Sequence, residues 1–132
     1  MILLSVFMIA GSFFNSPDSV IHPIDARMNN CLGHSHATMP RATCYNKAYL
    51  AWEDDIKITC NKLLKKADPQ RRKKLADEQS AWEKQRDLEF KKIADKYNSM
   101  RGTGYIPVRI ELRMEIIRKR ALELEKQSGQ KL

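Results

Sequence analysis

Gln79, Trp82 and Arg86 put an amide, an indole and a guanidinium three and four residues apart in the longest helix-compatible run of the chain. A helix turns by about 100° per residue, so the three groups fall within about 60° of one another on one face. The same stripe continues through Leu75, Phe90, Ile93 and Tyr97. Two polar groups therefore interrupt an apolar seam. Buried polar groups are tolerated when they are paired, so Gln79 and Arg86 are expected either to form a satisfied polar layer inside the fold or to be presented to a partner.

Other clusters suggest binding chemistry more than catalysis. Glu53, Asp54 and Asp55 follow Trp52 as a small acidic patch able to face a basic partner. Arg71, Arg72, Lys73 and Lys74 open a helix, the end where the macrodipole disfavours positive charge. Such a cluster suits contact with an anion, although Asp68, Asp77 and Glu78 are near enough to compensate and a solvated face would look the same. His34 and His36 with Cys31 and Cys44 could be drawn as a metal set, but Cys-x-x-His-x-His lacks the second paired ligand unit of structural zinc sites. No metal or cofactor is expected. No Ser or Thr carries an activating motif, and Asp54, Asp55, Asp77, Glu78 and Glu83 have no apolar pocket around them to raise a pKa, so no enzyme is expected. Gly102 and Gly104 do not form a phosphate loop, lacking both the Gly-Lys-Ser/Thr ending and a preceding strand.

The elements that must position these residues are helical. A first helix is predicted from Thr43 to Lys66, with Tyr45, Tyr49, Trp52, Ile56, Thr59 or Cys60, and Leu63 on one stripe. Ala67-Asp68-Pro69 breaks it and starts a second, since Asp is a good N-cap and Pro suits the first helical position; this helix is predicted to reach Tyr97. A third, from Pro107 to Gln127, carries Ile110, Met114, Ile117, Ala121 and Leu124, with Leu112 and Ile116 beside them. The short break implies an antiparallel hairpin. Its register sets Trp52 level with Trp82 and Tyr49 level with Arg86, which predicts a guanidinium over a tyrosine ring, and it leaves Gln79 near Ile56 and Trp52. The fold class is all-α: a small three-helix bundle built on an antiparallel helical hairpin, with an N-terminal loop stapled on by a Cys31–Cys44 disulfide. Closing so short a loop contributes about 3 kcal/mol in a chain-entropy model. Cys60 is left over, and beside the seam it reads as a buried small hydrophobe or a reactive thiol.

The chain has 132 residues, with 24 Lys and Arg against 16 Asp and Glu, a net charge of +8. That is one domain with a small core and a preference for anionic partners. Residues 1–12 have the apolar run of a secretory signal, too short to span a bilayer, with a small-x-small site ending at Ser12. A linker is expected over 13–27, one helical domain over 28–127 and a tail over 128–132. No Leu-x-x-Cys pattern precedes Cys31, so no lipid anchor is indicated.

Four sequence features together resemble the N-terminal domain family of the lysozyme inhibitor LprI. They are Met28-Asn29-Asn30-Cys31, Cys44-Tyr45-x-x-Ala48-x-x-Ala51-Trp52, Gln79-x-Ala81-Trp82-x-x-x-Arg86-Asp87, and Arg120-Ala121-x-Glu123-Leu124. The resemblance covers residues 28 to 125. It implies a secreted or periplasmic, non-enzymatic helical protein, with a lysozyme-type hydrolase as partner. Phe90 stands where the family has a cysteine after Arg-Asp, and the late half of that bridge falls near Leu112, so an apolar contact is expected in its place. The family's Leu-Asn after the first tryptophan reads Ile56-Lys57. Common lysozymes are basic, and a partner at +8 would meet long-range repulsion unless Glu53, Asp54 and Asp55 face the enzyme. The alternative is an envelope structural or anion-binding protein contacting anionic lipid or cell-wall polymer through Arg71 to Lys74. Nucleic acid ranks below both, because export would separate the protein from it.

Overall fold

In a computed structural model, which describes residues 20–129, the chain forms four helices. They are α1 (Pro23–Gly33), α2 (Thr38–Lys66), α3 (Pro69–Asn98) and α4 (Tyr105–Gln127). Among the described residues there is no strand, and no helix is long and apolar enough to cross a membrane. The expected leader, its cleavage site, the first part of the linker and the end of the tail lie outside these residues.

The additional helix, α1, occupies what reads as linker and stapled loop. Pro23 supplies a pre-set φ at the first helical position, and the His22 ring caps the start by accepting the Ile24 N–H at Nδ1, 3.2 Å away. Asp25 adds negative charge to the first turn, where the dipole favours it. The Cys31–Cys44 disulfide is formed and joins the last turn of α1 to α2, so the staple holds a helix where a loop was expected. α2 begins five residues before the predicted start and takes Pro40 into its first turn. Proline is tolerated there because the N–H it lacks would have no intrahelical acceptor.

The break at Ala67 and Asp68 falls where predicted. The Asp68 carboxylate accepts the Arg71 N–H at 2.7 Å, and the Arg72 guanidinium donates to the Leu64 carbonyl at 3.1 Å, closing the end of α2. Between α3 and α4 the chain turns through Gly102, whose φ of 104° suits glycine.

The packing partner of α2 corrects the expected hairpin core. α2 lies along α4, α1 covers another side of α2, and α2 touches α3 only sparingly. Tyr45, Ala48, Trp52 and Ile56 of α2 interlock with Met114, Ile117, Ala121 and Leu124 of α4, and Ile24 of α1 completes the cluster. The reason is the relative apolar yield of the two candidate partners. Fully burying a Leu, Ile or Met contributes about 1.5–3 kcal/mol; α4 buries four such positions or their small equivalents, whereas Leu75 is the buried residue of α3. The ring that pairs with Trp52 is that of His22, and Trp82 packs at the edge of this cluster.

Candidate binding site

Trp82 lies between two guanidinium groups, that of Arg86 at 5.3 Å from the ring centroid and that of Arg120 at 5.8 Å. Arg120 is only 7% exposed, and its Nε and Nη2 donate to Gln79 Oε1 at 3.1 and 3.0 Å. The amide that interrupts the apolar stripe is thus paired inside, but across to α4. Gln79 serves Arg120, not Ile56 and Trp52. Arg86 rests on the indole of its own helix and pairs with the neighbouring Asp87 at 3.0 Å, so the predicted guanidinium over the Tyr49 ring gives way to Trp82. Tyr49 instead packs against Phe90, with ring centroids 6.4 Å apart. Phe90 and Leu112, expected to replace a bridge by packing, line different clefts, and Leu112 is exposed.

Trp52 is wholly enclosed. The His22 ring lies 4.4 Å from it, the Arg118 guanidinium 5.8 Å from its centroid, and its Nε1 has no partner. Arg118 holds Asp25 with both carboxylate oxygens engaged, the shortest contact 2.7 Å, and this hydrogen bonding holds the guanidinium pKa above its usual value. His22 Nε2 meets Glu125 Oε1 at 2.9 Å. These four side chains fasten α1 to α4 across the indole. Sequence patterns missed them, although His22-Pro23 is a helix-start signal and Arg118 and Glu125 share a face at seven-residue spacing.

The three acids of the run differ in exposure. Successive helical residues are about 100° apart, so three adjacent acids look in different directions. Asp54 is exposed; Glu53 is half-buried beside Tyr49, whose pKa is raised by burial first and by this acid second. Asp55 turns inward, its Oδ2 enclosed without a partner and its carboxyl pushed up to about 6 by burial and then by Glu125. Asp55 is half-buried, so of the three acids Asp54 is the most exposed. Outward along α2, Asp54 stands between Leu50 and Ile58, each 54% exposed, at four-residue spacing. Arg71, Arg72, Lys73 and Lys74 are all exposed at the start of α3, and Arg71 shares a cleft with Lys62 and Lys66.

A cleft of about 280 Å³ opens between α2, α3 and α4, with Cys60, Leu63, Leu75, Gln79, Glu83 and Arg120 on its walls. Its cation already has Gln79 and, at 3.5 Å, Glu123, so the cleft calls for no ligand charge. Cys60 is free and half-buried, and burial pushes its thiol up, away from the thiolate that a nucleophile or metal ligand needs. Cys31 and Cys44 are consumed in the disulfide and so unavailable to a metal.

No curated protein and no solved structure matches the chain. A family model described as lysozyme inhibitor LprI matches residues 25–124, a span that holds the disulfide, both tryptophans and the Gln79–Arg120 pair. With a match over well over half of its length, the chain belongs to the LprI lysozyme inhibitor family.

Proposed function

We propose that this protein is a secreted or periplasmic, non-enzymatic binding module that blocks a lysozyme-type hydrolase through the outward face of α2. The family membership supports the partner class. The observation that carries the surface is the stripe of Leu50, Asp54 and Ile58, two exposed aliphatic side chains flanking an exposed acid on a rigid helix. Exposed aliphatic side chains on a rigid helix can fill apolar pockets of a partner, and the acid between them can meet a basic group at the rim of the contact. The surrounding +8 charge opposes a basic enzyme at long range, so the affinity must come from contacts made after encounter. Titrating lysozyme with the folded protein should give stoichiometric inhibition, and Leu50→Asp or Asp54→Lys should weaken it about tenfold or more, a loss of about 1.4 kcal/mol. Full lysozyme activity at a large molar excess of the protein would end this reading.

A second reading, an envelope anion-binding protein, is favoured by the cleft where Lys62, Lys66 and Arg71 converge beside the exposed Arg72, Lys73 and Lys74. It requires binding to anionic vesicles that is lost when Arg71 to Lys74 are neutralised.

A further inference from the structure

The net charge is concentrated at one end of the molecule. Residues 62–74, the turn between α2 and α3 with its flanks, hold seven Lys and Arg against Asp68 alone, so this stretch supplies +6 of the net +8. Among the described residues, the ion pairs all lie elsewhere in the chain. Lys65 and Lys66 suit the dipole at the end of α2, but Arg71 to Lys74 stand at the start of α3, where the dipole opposes them. Arg72 has a task in closing α2 through the Leu64 carbonyl; helix stability does not account for the other three. Lys62, Lys66 and Arg71 line one cleft of about 610 Å³, and the acid in its wall, Asp68, has its carboxylate on the Arg71 N–H.

Above this turn the hairpin does not close. α2 and α3 touch only sparingly, and the slot left between them is the cleft of about 280 Å³. Cys60, Leu63 and Leu64 of α2, Leu75 and Ala76 of α3 and Leu124 of α4 give it mainly apolar walls. The Arg120 guanidinium in its wall is satisfied by Gln79, and Glu83 adds negative charge there, so the slot suits an uncharged group and turns an anion away. Leu63 and Leu75 line both clefts, which places a cationic basin directly beside an apolar slot. Small-molecule sites combine mostly apolar walls with a few charged groups in this way, and the slot lies near the lower end of their size range.

We propose that the open end of the α2–α3 hairpin binds an anionic amphiphile, with a phosphate-type head held by Lys62, Lys66 and Arg71 and one aliphatic chain laid over Leu63 and Leu75 into the slot beside Cys60. The proposal rests on the anion-binding reading above and adds a chain to the anion. Selectivity comes from the pairing of the two clefts. A bare anion gains only the screened attraction of exposed cations. An uncharged chain gains only the burial of its methylenes. An amphiphile gains both, in one orientation, because Glu83 keeps its head out of the slot.

The probe is dodecyl phosphate below its micelle concentration, with inorganic phosphate as the head-only control and dodecyl maltoside as the chain-bearing neutral control. Calorimetric titration of the full chain, disulfide intact, should show dodecyl phosphate binding at least about tenfold more tightly than either control, the effect of withdrawing about two methylenes from water. Inorganic phosphate binding as tightly would remove the chain from the proposal, and dodecyl maltoside binding as tightly would remove the head; either overturns it. Ala76→Phe, at an exposed position on the slot wall, should weaken dodecyl phosphate about tenfold or more and leave adsorption to phosphatidylglycerol vesicles unchanged. Unaltered affinity for dodecyl phosphate in this variant overturns the site. Cys60 reports on the parent protein, since Cys31 and Cys44 are joined. Its alkylation by N-ethylmaleimide should slow about fivefold or more with saturating dodecyl phosphate and not with inorganic phosphate, and a rate indifferent to dodecyl phosphate sinks the proposal. If dodecyl phosphate fails to bind while vesicles still do, this inference alone falls; if neither binds, the anion-binding reading falls with it.

Discussion

Arg120 is a buried cation whose close partners are a neutral amide oxygen and, at 3.5 Å, one exposed carboxylate. Hydrogen bonds to charged groups contribute about 1.5–3 kcal/mol each, and a buried charge left without its acceptor is costly. Gln79→Leu should therefore lower the unfolding free energy by about 2 kcal/mol, and Gln79→Leu with Arg120→Met should recover most of that loss. Urea denaturation of the four proteins in the cycle measures the coupling, and additive losses would show that the pair does not act as a unit. At this scale the sequence marked Gln79 as a polar residue on a core stripe, and its internal pairing is real. Its partner was not legible, because Arg120 is 41 residues away and helical spacing reports only neighbours on the same helix. The acidic run reads differently in the fold because adjacency in sequence is divergence on a helix: Asp55 has one oxygen enclosed while Asp54 is exposed.

Helices α2 and α4 form the spine, with α3 lying against it by a mixed polar and apolar face. Met114 is fully enclosed between the two spine helices, and its truncation to Ala should cost about 2–5 kcal/mol. Leu88 on α3 is 57% exposed, and Leu88→Ala should change stability by less than about 0.5 kcal/mol. Thermal unfolding of the two variants compares them directly, and similar losses would contradict the ranking of α4 over α3. The three long helices were legible from their stripes, from Asp68-Pro69 and from the glycines near 102. α1 was not, because at 11 residues it is too short to show a period, and it is held by the disulfide at one end, by His22 and Asp25 at the other and by Ile24 packed into the core.

For the molecule as a whole, the +8 charge makes ionic strength a discriminating variable. Raising salt from about 20 to about 150 mM shortens the screening length to about 8 Å. Binding to a basic hydrolase should then strengthen, since the opposing long-range term is screened, whereas binding to anionic vesicles should weaken. Parallel titrations read both, and hydrolase binding that falls with salt would mean that a local acidic contact dominates over net charge. The sequence by itself determined the all-α class, the breaks between the long helices, the Cys31–Cys44 pair and the family signature. Each of these rests on local periodicity, capping chemistry or spacing along the chain. Only the tertiary structure decided which helix α2 buries its indole against and where Gln79 finds its partner. It also decided that His22 meets Glu125 and Asp25 meets Arg118, because those outcomes compare the apolar area and charge that distant segments offer one another. The Gln79–Trp82–Arg86 stripe could be read from the sequence as an interrupted core seam; that the interruption closes on Arg120 depends on α4 having displaced α3 as the main partner of α2.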